Sequence, residues 1–354
     1  MMNKHIDVVF YVAYPYYYPH FLPISKMLES QNYTVRYILS TKQNTQLMEN
    51  IAKEEGLDYA LGEKALYEED AKVIFFANVF EGVQNLAAKT IFLCHGTGTK
   101  NCGFTKALAF NDIVLVEGNY RYEKYTKEFP EYAHKLRQVG YSKLDTVLNI
   151  SEEEKRALRK KYALDENKKT ILYAPTFFPS SVEKMSDTFP EDFSECNIIV
   201  KAHYLSLERK RYKKQQAKFK KWNSYDNCTV LGAEEYNLVP FLAIADVMIS
   251  DESAAIFEFA SLNKPVIINR FLKLRWSYYL NPKKLLKRMD SGVNRYRIIG
   301  ENPDTYKEMV SVTKRALQAP MLHEKKRVNM TSDICGIIDG KVSERIVEIV
   351  KDLI

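Results

Sequence analysis

Four short segments carry residues able to do chemistry, and each follows an apolar run. In Leu93-Cys94-His95-Gly96-Thr97-Gly98-Thr99-Lys100 an imidazole stands at the end of such a run, with glycines after it. Glycine lets a ligand approach the backbone, and a histidine there can take a proton from an alcohol. The spacing is not that of a Walker A loop. A histidine tied into a turn would explain these residues equally well. Tyr173-Ala174-Pro175-Thr176-Phe177-Phe178 ends a second run. The Thr176 hydroxyl suits a phosphate oxygen, although a plain strand-to-loop turn accounts for it better. In Val200-Lys201-Ala202-His203, alternation puts a cation and an imidazole on one side of the chain. That pair fits a diphosphate, and equally a solvated strand end. The fourth segment runs from Ala245-Asp246 through Ile249-Ser250-Asp251-Glu252-Ser253 into Ala254–Phe259. It reads as strand, turn and amphipathic helix. Ser250, Asp251 and Ser253 are good N-caps, and a helix start with free amides is a ready phosphate site. Asp251 and Glu252 would hold ribose hydroxyls, or sit beside them without contact.

The elements that must position these residues are short strands and longer helical patterns in alternation. Strands are expected at Asp7–Ala13, Thr34–Leu39, Val73–Phe76, Thr90–Cys94, Ile113–Glu117, Thr170–Tyr173, Asn197–Lys201, Val247–Ser250 and Pro265–Asn269. Buried strands alternating with helices predict an α/β protein with parallel sheets. A boundary falls near 145–168, where Ser151-Glu152-Glu153-Glu154 is a capping box opening a helix through Lys155–Tyr162. Two doubly wound, Rossmann-like domains are expected, facing a central cleft at the C-terminal ends of their strands. The expected limits are 1–150 and 151–335, with a closing C-terminal helix in 336–354.

The chain has 354 residues, enough for about two domains. Its 52 Lys+Arg against 45 Asp+Glu leave a net charge of +7, which favours anionic partners. Five scattered cysteines without a C-x-x-C pair argue against a disulfide framework or a zinc site. Val8 to Ile24 is interrupted by Pro15, Pro19, His20 and Pro23, which rules it out as a clean spanning helix. With no signal-peptide pattern at the N-terminus, the expectation is a cytoplasmic protein. Two basic, aromatic segments remain. Residues 208–221 carry eight Lys/Arg with Tyr212 and Phe219, next to Trp222. Residues 272–288 include Lys273, Arg275, Trp276, Lys283, Lys284, Lys287 and Arg288. Either segment suits an anionic membrane surface, and a solvated face is the plain alternative. Of the two, 272–288 is the stronger candidate for facing a membrane.

The order of these segments resembles the CDP-glycerol glycerophosphotransferase family, the teichoic acid primases and polymerases. The resemblance rests on His95-Gly96-Thr97 with Lys100, Val139-Gly140 with Leu144-Asp145, Leu172 through Phe177, Lys201-Ala202-His203, and Ala245-Asp246 through Ser253. It implies a GT-B fold, a donor such as CDP-glycerol or a related CDP-alditol, and transfer of glycerol phosphate to a lipid-linked saccharide acceptor with release of CMP. The N-terminal domain would then bind acceptor and the C-terminal domain donor. His95 would be the general base, with Gly96, Thr97 and Lys100 in the acceptor-side loop. His203 with Lys201 would stabilise the diphosphate, and Thr176, Asp251, Glu252 and Ser253 would line the donor phosphates. No cofactor or metal is expected; magnesium at Asp251 and Glu252 is the lesser alternative. The absence of a large extra N-terminal module resembles the primases, peripheral on the inner face of the cell membrane. The chain departs from the pattern at Gly98, Phe178, Tyr204, Glu252 and Ala254, where the family has proline, arginine, proline, tyrosine and serine. Those changes open the donor to question. The alternatives are a CDP-ribitol-dependent transferase and a GT-B glycosyltransferase using a nucleotide sugar. A nucleic-acid-binding protein is disfavoured, because no RRM, KH or zinc-finger pattern appears.

Overall fold

The computed structural model describes residues 5–96, 105–274 and 291–354. They cluster into two compact units. One comprises 5–96, 105–148 and 333–354; the other comprises 149–274 and 291–332.

The first unit holds a seven-stranded sheet in the order β3-β2-β1-β4-β5-β6-β7. Its strands are β1 (Ile6–Val12), β2 (Val35–Leu39), β3 (Tyr59–Leu61), β4 (Ala71–Phe76), β5 (Lys89–Leu93), β6 (Ile113–Val116) and β7 (Leu136–Gln138). The second unit holds a five-stranded sheet in the order β10-β9-β8-β11-β12. Those strands are β8 (Thr170–Ala174), β9 (Asn197–Val200), β10 (Cys228–Val230), β11 (Val247–Ser250) and β12 (Val266–Ile268). All pairings are parallel. Helices cover both faces of such sheets, so central strands read as unbroken apolar runs. All nine expected strands are present. The three missed strands, β3, β7 and β10, are edge strands of three residues each, partly exposed. Too short and too wet to show a periodic apolar signal, they escape a reading based on hydrophobic runs.

The chain begins its second unit through helix Glu152–Lys161, and the expected capping box is formed. Ser151 Oγ accepts from the Glu154 amide at 3.1 Å, and Glu154 returns a bond to the Ser151 amide at 2.7 Å. The last helix, Val342–Lys351, buries Val342, Ile346, Val347 and Val350 in the first unit. Its N-terminal amides are held by Asp145, whose carboxylate accepts from Val342 N at 3.1 Å and Ser343 N at 2.7 Å. Gly140 makes room for this return. Its φ is +98°, and a Cβ there would meet Val342 Cγ2 at 2.9 Å. Two of the resemblance motifs, Val139-Gly140 and Leu144-Asp145, therefore build the seam that receives the chain's end.

The basic segment 208–221 corrects an expectation. Its aromatic residues do not face outward: Trp222, Phe219 and Tyr212 are buried, and Trp222 Nε1 donates to the Ser186 carbonyl at 3.0 Å. The helix Lys213–Trp222 turns its rings into the core and leaves lysines outside, so the segment offers charge without an aromatic face. Of the 272–288 segment, Lys273 is exposed and its amide donates to Ser180 O at 2.7 Å. Arg275, Trp276, Lys283, Lys284, Lys287 and Arg288 lie outside the described residues. No helix among the described residues is long and apolar enough to cross a membrane.

Candidate functional site

In the first unit His95 follows β5 directly, past the buried Cys94. Its Nδ1 is hydrogen-bonded to the Ala77 carbonyl at the end of β4. A carbonyl only accepts, so Nδ1 carries the proton and Nε2 of the neutral ring keeps its lone pair. The ring packs against Tyr17 and Tyr16, with centroids at 4.9 and 5.6 Å. The next residue is held just as firmly: the Gly96 carbonyl accepts from Arg121 Nη2 at 2.8 Å and from Cys94 Sγ at 3.2 Å. Arg121 Nε in turn donates to Glu117 Oε2 at 2.6 Å, and both side chains are buried. Burial pushes the Glu117 carboxyl up, and Arg121 pulls it back down. Burial also pushes the Cys94 thiol up to about 12, which leaves it an inert packing group. His20, on helix Tyr18–Ser30, lies behind the same loop, 2% exposed and edge-on to Tyr141. Burial first, then the charge of Lys143, keeps its pKa well below the usual histidine value. Thr97 and Lys100 lie outside the described residues.

In the second unit the candidate residues leave one sheet edge together. Tyr173 is in register with Val200, and Ala174 with Ser250. The segments 175–181, 201–203 and 251–253 therefore emerge from neighbouring strands spaced by about 4.8 Å. β9 ends at Val200, so Lys201 and His203 sit on a loop and the pleat does not align them. His203 caps helix Tyr204–Glu208, with Nδ1 accepting from Leu205 N at 3.2 Å. An amide only donates, so the proton of the neutral ring is on Nε2, the reverse of His95. The ring is flanked by Phe177 at 4.7 Å and Tyr204 at 5.0 Å.

Asp251 and Thr176 turn out to serve each other. Asp251 is fully buried and accepts from Thr176 N at 3.0 Å, Ser180 Oγ at 3.2 Å and Ser181 N at 3.2 Å. The Thr176 hydroxyl donates to the Pro179 carbonyl. Of the two roles the sequence leaves open for Asp251, contact with ribose is thus replaced by stapling of the 176–181 loop, and the Thr176 hydroxyl is spent inside that loop. Phe178 is buried as well. Glu252 is ion-paired with Arg297, a residue the sequence reading did not single out. With Asp251 buried among donors and Glu252 held by a guanidinium, this pair does not fit a magnesium ion. Ser253 Oγ accepts from Ala255 N at 3.3 Å, one residue before the N-cap Ala254 of the short helix Ala255–Ala260, so it braces the turn without capping the helix. Among the described residues, no group of three or more His, Cys, Asp or Glu is placed to hold a metal.

The Asp251 staple makes a pH prediction. Burial raises its carboxyl to about 6, against 3.8 ordinarily. The folded state thus binds this proton more tightly than the unfolded one. Its stabilising contribution is complete below pH 4 and is lost as pH rises through 6. The wild type should therefore gain on the order of 2 kcal/mol from this group between pH 7 and pH 4, and Asp251→Asn should lack that gain. Thermal melts of both proteins across that range decide it; parallel pH slopes would remove Asp251 as the source.

The family model described as CDP-Glycerol:Poly(glycerophosphate) glycerophosphotransferase matches residues 2–352. The chain is 28% identical over 165 residues to a teichoic acid glycerol-phosphate primase of Bacillus spizizenii, covering 46% of this chain and 41% of that protein. It is 29% identical over 121 residues to a teichoic acid ribitol-phosphate primase of the same organism, covering 32% and 30%. The matches thus span less than half the length of these curated relatives. Among solved structures, that of the wall teichoic acid polymerase TagF superposes with a TM-score of 0.73 at 17% identity, over 98% of this chain and 88% of that one. The S. aureus MnaA–UDP complex superposes at 0.64 with 15% identity, over 99% and 98%. At these identities the likeness establishes a shared two-sheet α/β fold of the GT-B kind.

Proposed function

The chain belongs to the CDP-glycerol:poly(glycerophosphate) glycerophosphotransferase family, and from that premise we propose that it transfers glycerol phosphate from CDP-glycerol to a hydroxyl of a lipid-linked saccharide, releasing CMP, as teichoic acid primases do. The observation that carries the reading is a pair of imidazoles, each just past a strand end, whose Nδ1 hydrogen bonds run in opposite directions. A neutral His95, with Nδ1 donating to the Ala77 carbonyl, has Nε2 as its acceptor nitrogen, and His203, with Nδ1 accepting from Leu205 N, has Nε2 as its donor nitrogen.

In the proposed step, the acceptor hydroxyl gives its proton to His95 Nε2 as its oxygen attacks the glycerol-bearing phosphorus. The bond from that phosphorus to the bridging oxygen breaks, and the electron pair leaves on CMP. Lys201 and the His203 Nε2–H take up the charge that develops there. Reactions of this class depend mainly on placement and charge stabilisation. Ser253 accepts from the Ala255 amide and keeps its own hydroxyl proton to give to a phosphate oxygen. Thr176 and Asp251 act one step back, by shaping the loop beside the donor. The ring of Phe177 against His203 limits the positions that imidazole can adopt.

A second donor, CDP-ribitol, is supported by the likeness to the ribitol-phosphate primase. One assay separates the readings. The protein is incubated with CDP-glycerol, CDP-ribitol or UDP-sugars, together with a lipid-linked acceptor analogue in anionic liposomes, and the released nucleotide is measured. CMP from CDP-glycerol is expected. Release only from CDP-ribitol would replace the donor, and UDP release alone would make the chain a glycosyltransferase. Peripheral placement at the inner membrane face predicts that the protein sediments with these liposomes. Protein left in the supernatant would withdraw that placement.

A further inference from the structure

A carboxylate beside a diphosphate site is an electrostatic liability unless something neutralises it. Glu252 immediately precedes Ser253 at the edge where the donor is proposed to bind. It is paired there: Arg297 Nη2 donates to Glu252 Oε1. Arg297 comes from the 3-10 segment Ser291–Ile299, and the backbone that follows is anchored to the second sheet. Ile299 is buried, and Gly300 lies so close to β12 that a Cβ would fall 2.1 Å from the Val266 carbonyl oxygen. Glu301 then bonds to both neighbours on that strand, donating to Val266 O at 3.2 Å and accepting from Ile268 N at 2.8 Å. The Arg297 carbonyl itself accepts from Asn302 Nδ2 at 2.9 Å.

The guanidinium is thus carried by a fixed backbone and held by the Glu252 carboxylate of the 250–253 turn. Its side chain is 30% exposed, so the planar fork is partly open to solvent. A guanidinium presents five donors in that fork, and Glu252 engages one edge. The opposite edge matches two oxygens of a phosphate.

We propose that Arg297, oriented by Glu252, is an anion-binding arginine that takes phosphate oxygens of a nucleoside diphosphate at this sheet edge. The proposal rests on reading the second unit as the donor half of the enzyme. It also gives Glu252 a purpose: the carboxylate holds a cation in place for the ligand and touches neither ribose nor metal.

Calorimetric titration of the full-length wild type and of Arg297→Ala, Arg297→Lys and Glu252→Gln tests it, with CDP-glycerol, cytidine and inorganic pyrophosphate as ligands. Arg297→Ala should weaken CDP-glycerol and pyrophosphate by roughly 10- to 100-fold and leave cytidine unchanged. Arg297→Lys should recover part of the loss, as a point charge without the fork. Glu252→Gln removes the charge that orients the guanidinium and should weaken both phosphate ligands several-fold, less than Arg297→Ala, with cytidine unchanged; phosphate binding equal to wild type would take the orienting role from Glu252. An Arg297→Ala protein that is folded by circular dichroism and binds CDP-glycerol and pyrophosphate like wild type overturns the proposal. So does a wild type that binds neither. A wild type that takes pyrophosphate through Arg297 but ignores CDP-glycerol keeps the anion site and overturns the donor reading instead.

Discussion

Replacing His95 by asparagine should slow CMP release from CDP-glycerol by about 100- to 10,000-fold, the usual worth of one positioned base. Asparagine is the informative choice. Its amide nitrogen overlays the imidazole Nδ1, so it can still donate to the Ala77 carbonyl that anchors His95. What it cannot supply is Nε2, the proposed proton acceptor. The loop should therefore stay in place, the KM for CDP-glycerol should stay near wild type, and the loss should fall on kcat. The pH profile separates chemistry from packing. A histidine base must be neutral, so wild-type activity should fall on the acid side as solvent protons compete for Nε2. The slow residual activity of His95→Asn should lack that limb. A folded His95→Asn protein turning over within threefold of wild type, or keeping the acid limb, would take the base assignment away from this residue.

The parts of this molecule that were legible in its sequence share a physical cause. Strands such as β5 and β6 are buried on both faces, so their composition is set by burial alone, and their ends mark where loops begin. His95, Lys201, His203 and the turn after Ser250 were found because they follow such ends. What escaped depends on contacts between distant residues. Thr176 and Asp251 are 75 positions apart, and nothing in either segment announces that their polar groups are spent on each other. Glu252 and Arg297 are 45 apart, and only the fold brings the cation to the carboxylate. Trp222 looked like an interfacial aromatic among lysines because composition does not tell which face of a helix turns inward. The Glu117–Arg121 pair did leave a trace, an acid and a base four residues apart just past an apolar strand. That spacing usually marks a solvated helix surface, and here it marks the interior.

That buried pair carries the largest stability effect expected in the first unit. Arg121→Met should destabilise it by about 3–5 kcal/mol, because it leaves Glu117 charged and buried without its partner. The penalty is sharpened by the second carboxylate oxygen of Glu117, which is buried and finds no hydrogen-bond partner among the described residues even with the arginine in place. Adding Glu117→Leu removes the stranded charge, so the double variant should recover most of the lost stability; apolar replacements of buried ion pairs are often neutral or better. If stability were the whole role of the pair, the double variant would also be fully active. The geometry argues otherwise, since the second arm of Arg121 holds the Gly96 carbonyl, one residue past His95. No apolar side chain can replace that bond. The double variant should therefore melt near wild type yet release CMP at least tenfold more slowly, with kcat reduced and donor KM little changed. Melting curves and steady-state rates on the single and double variants give the answer. Stability and activity returning together would reduce the pair to packing, whereas stability returning alone would make Arg121 a residue that positions the catalytic loop, bought with a buried charge that a merely stable fold would not need.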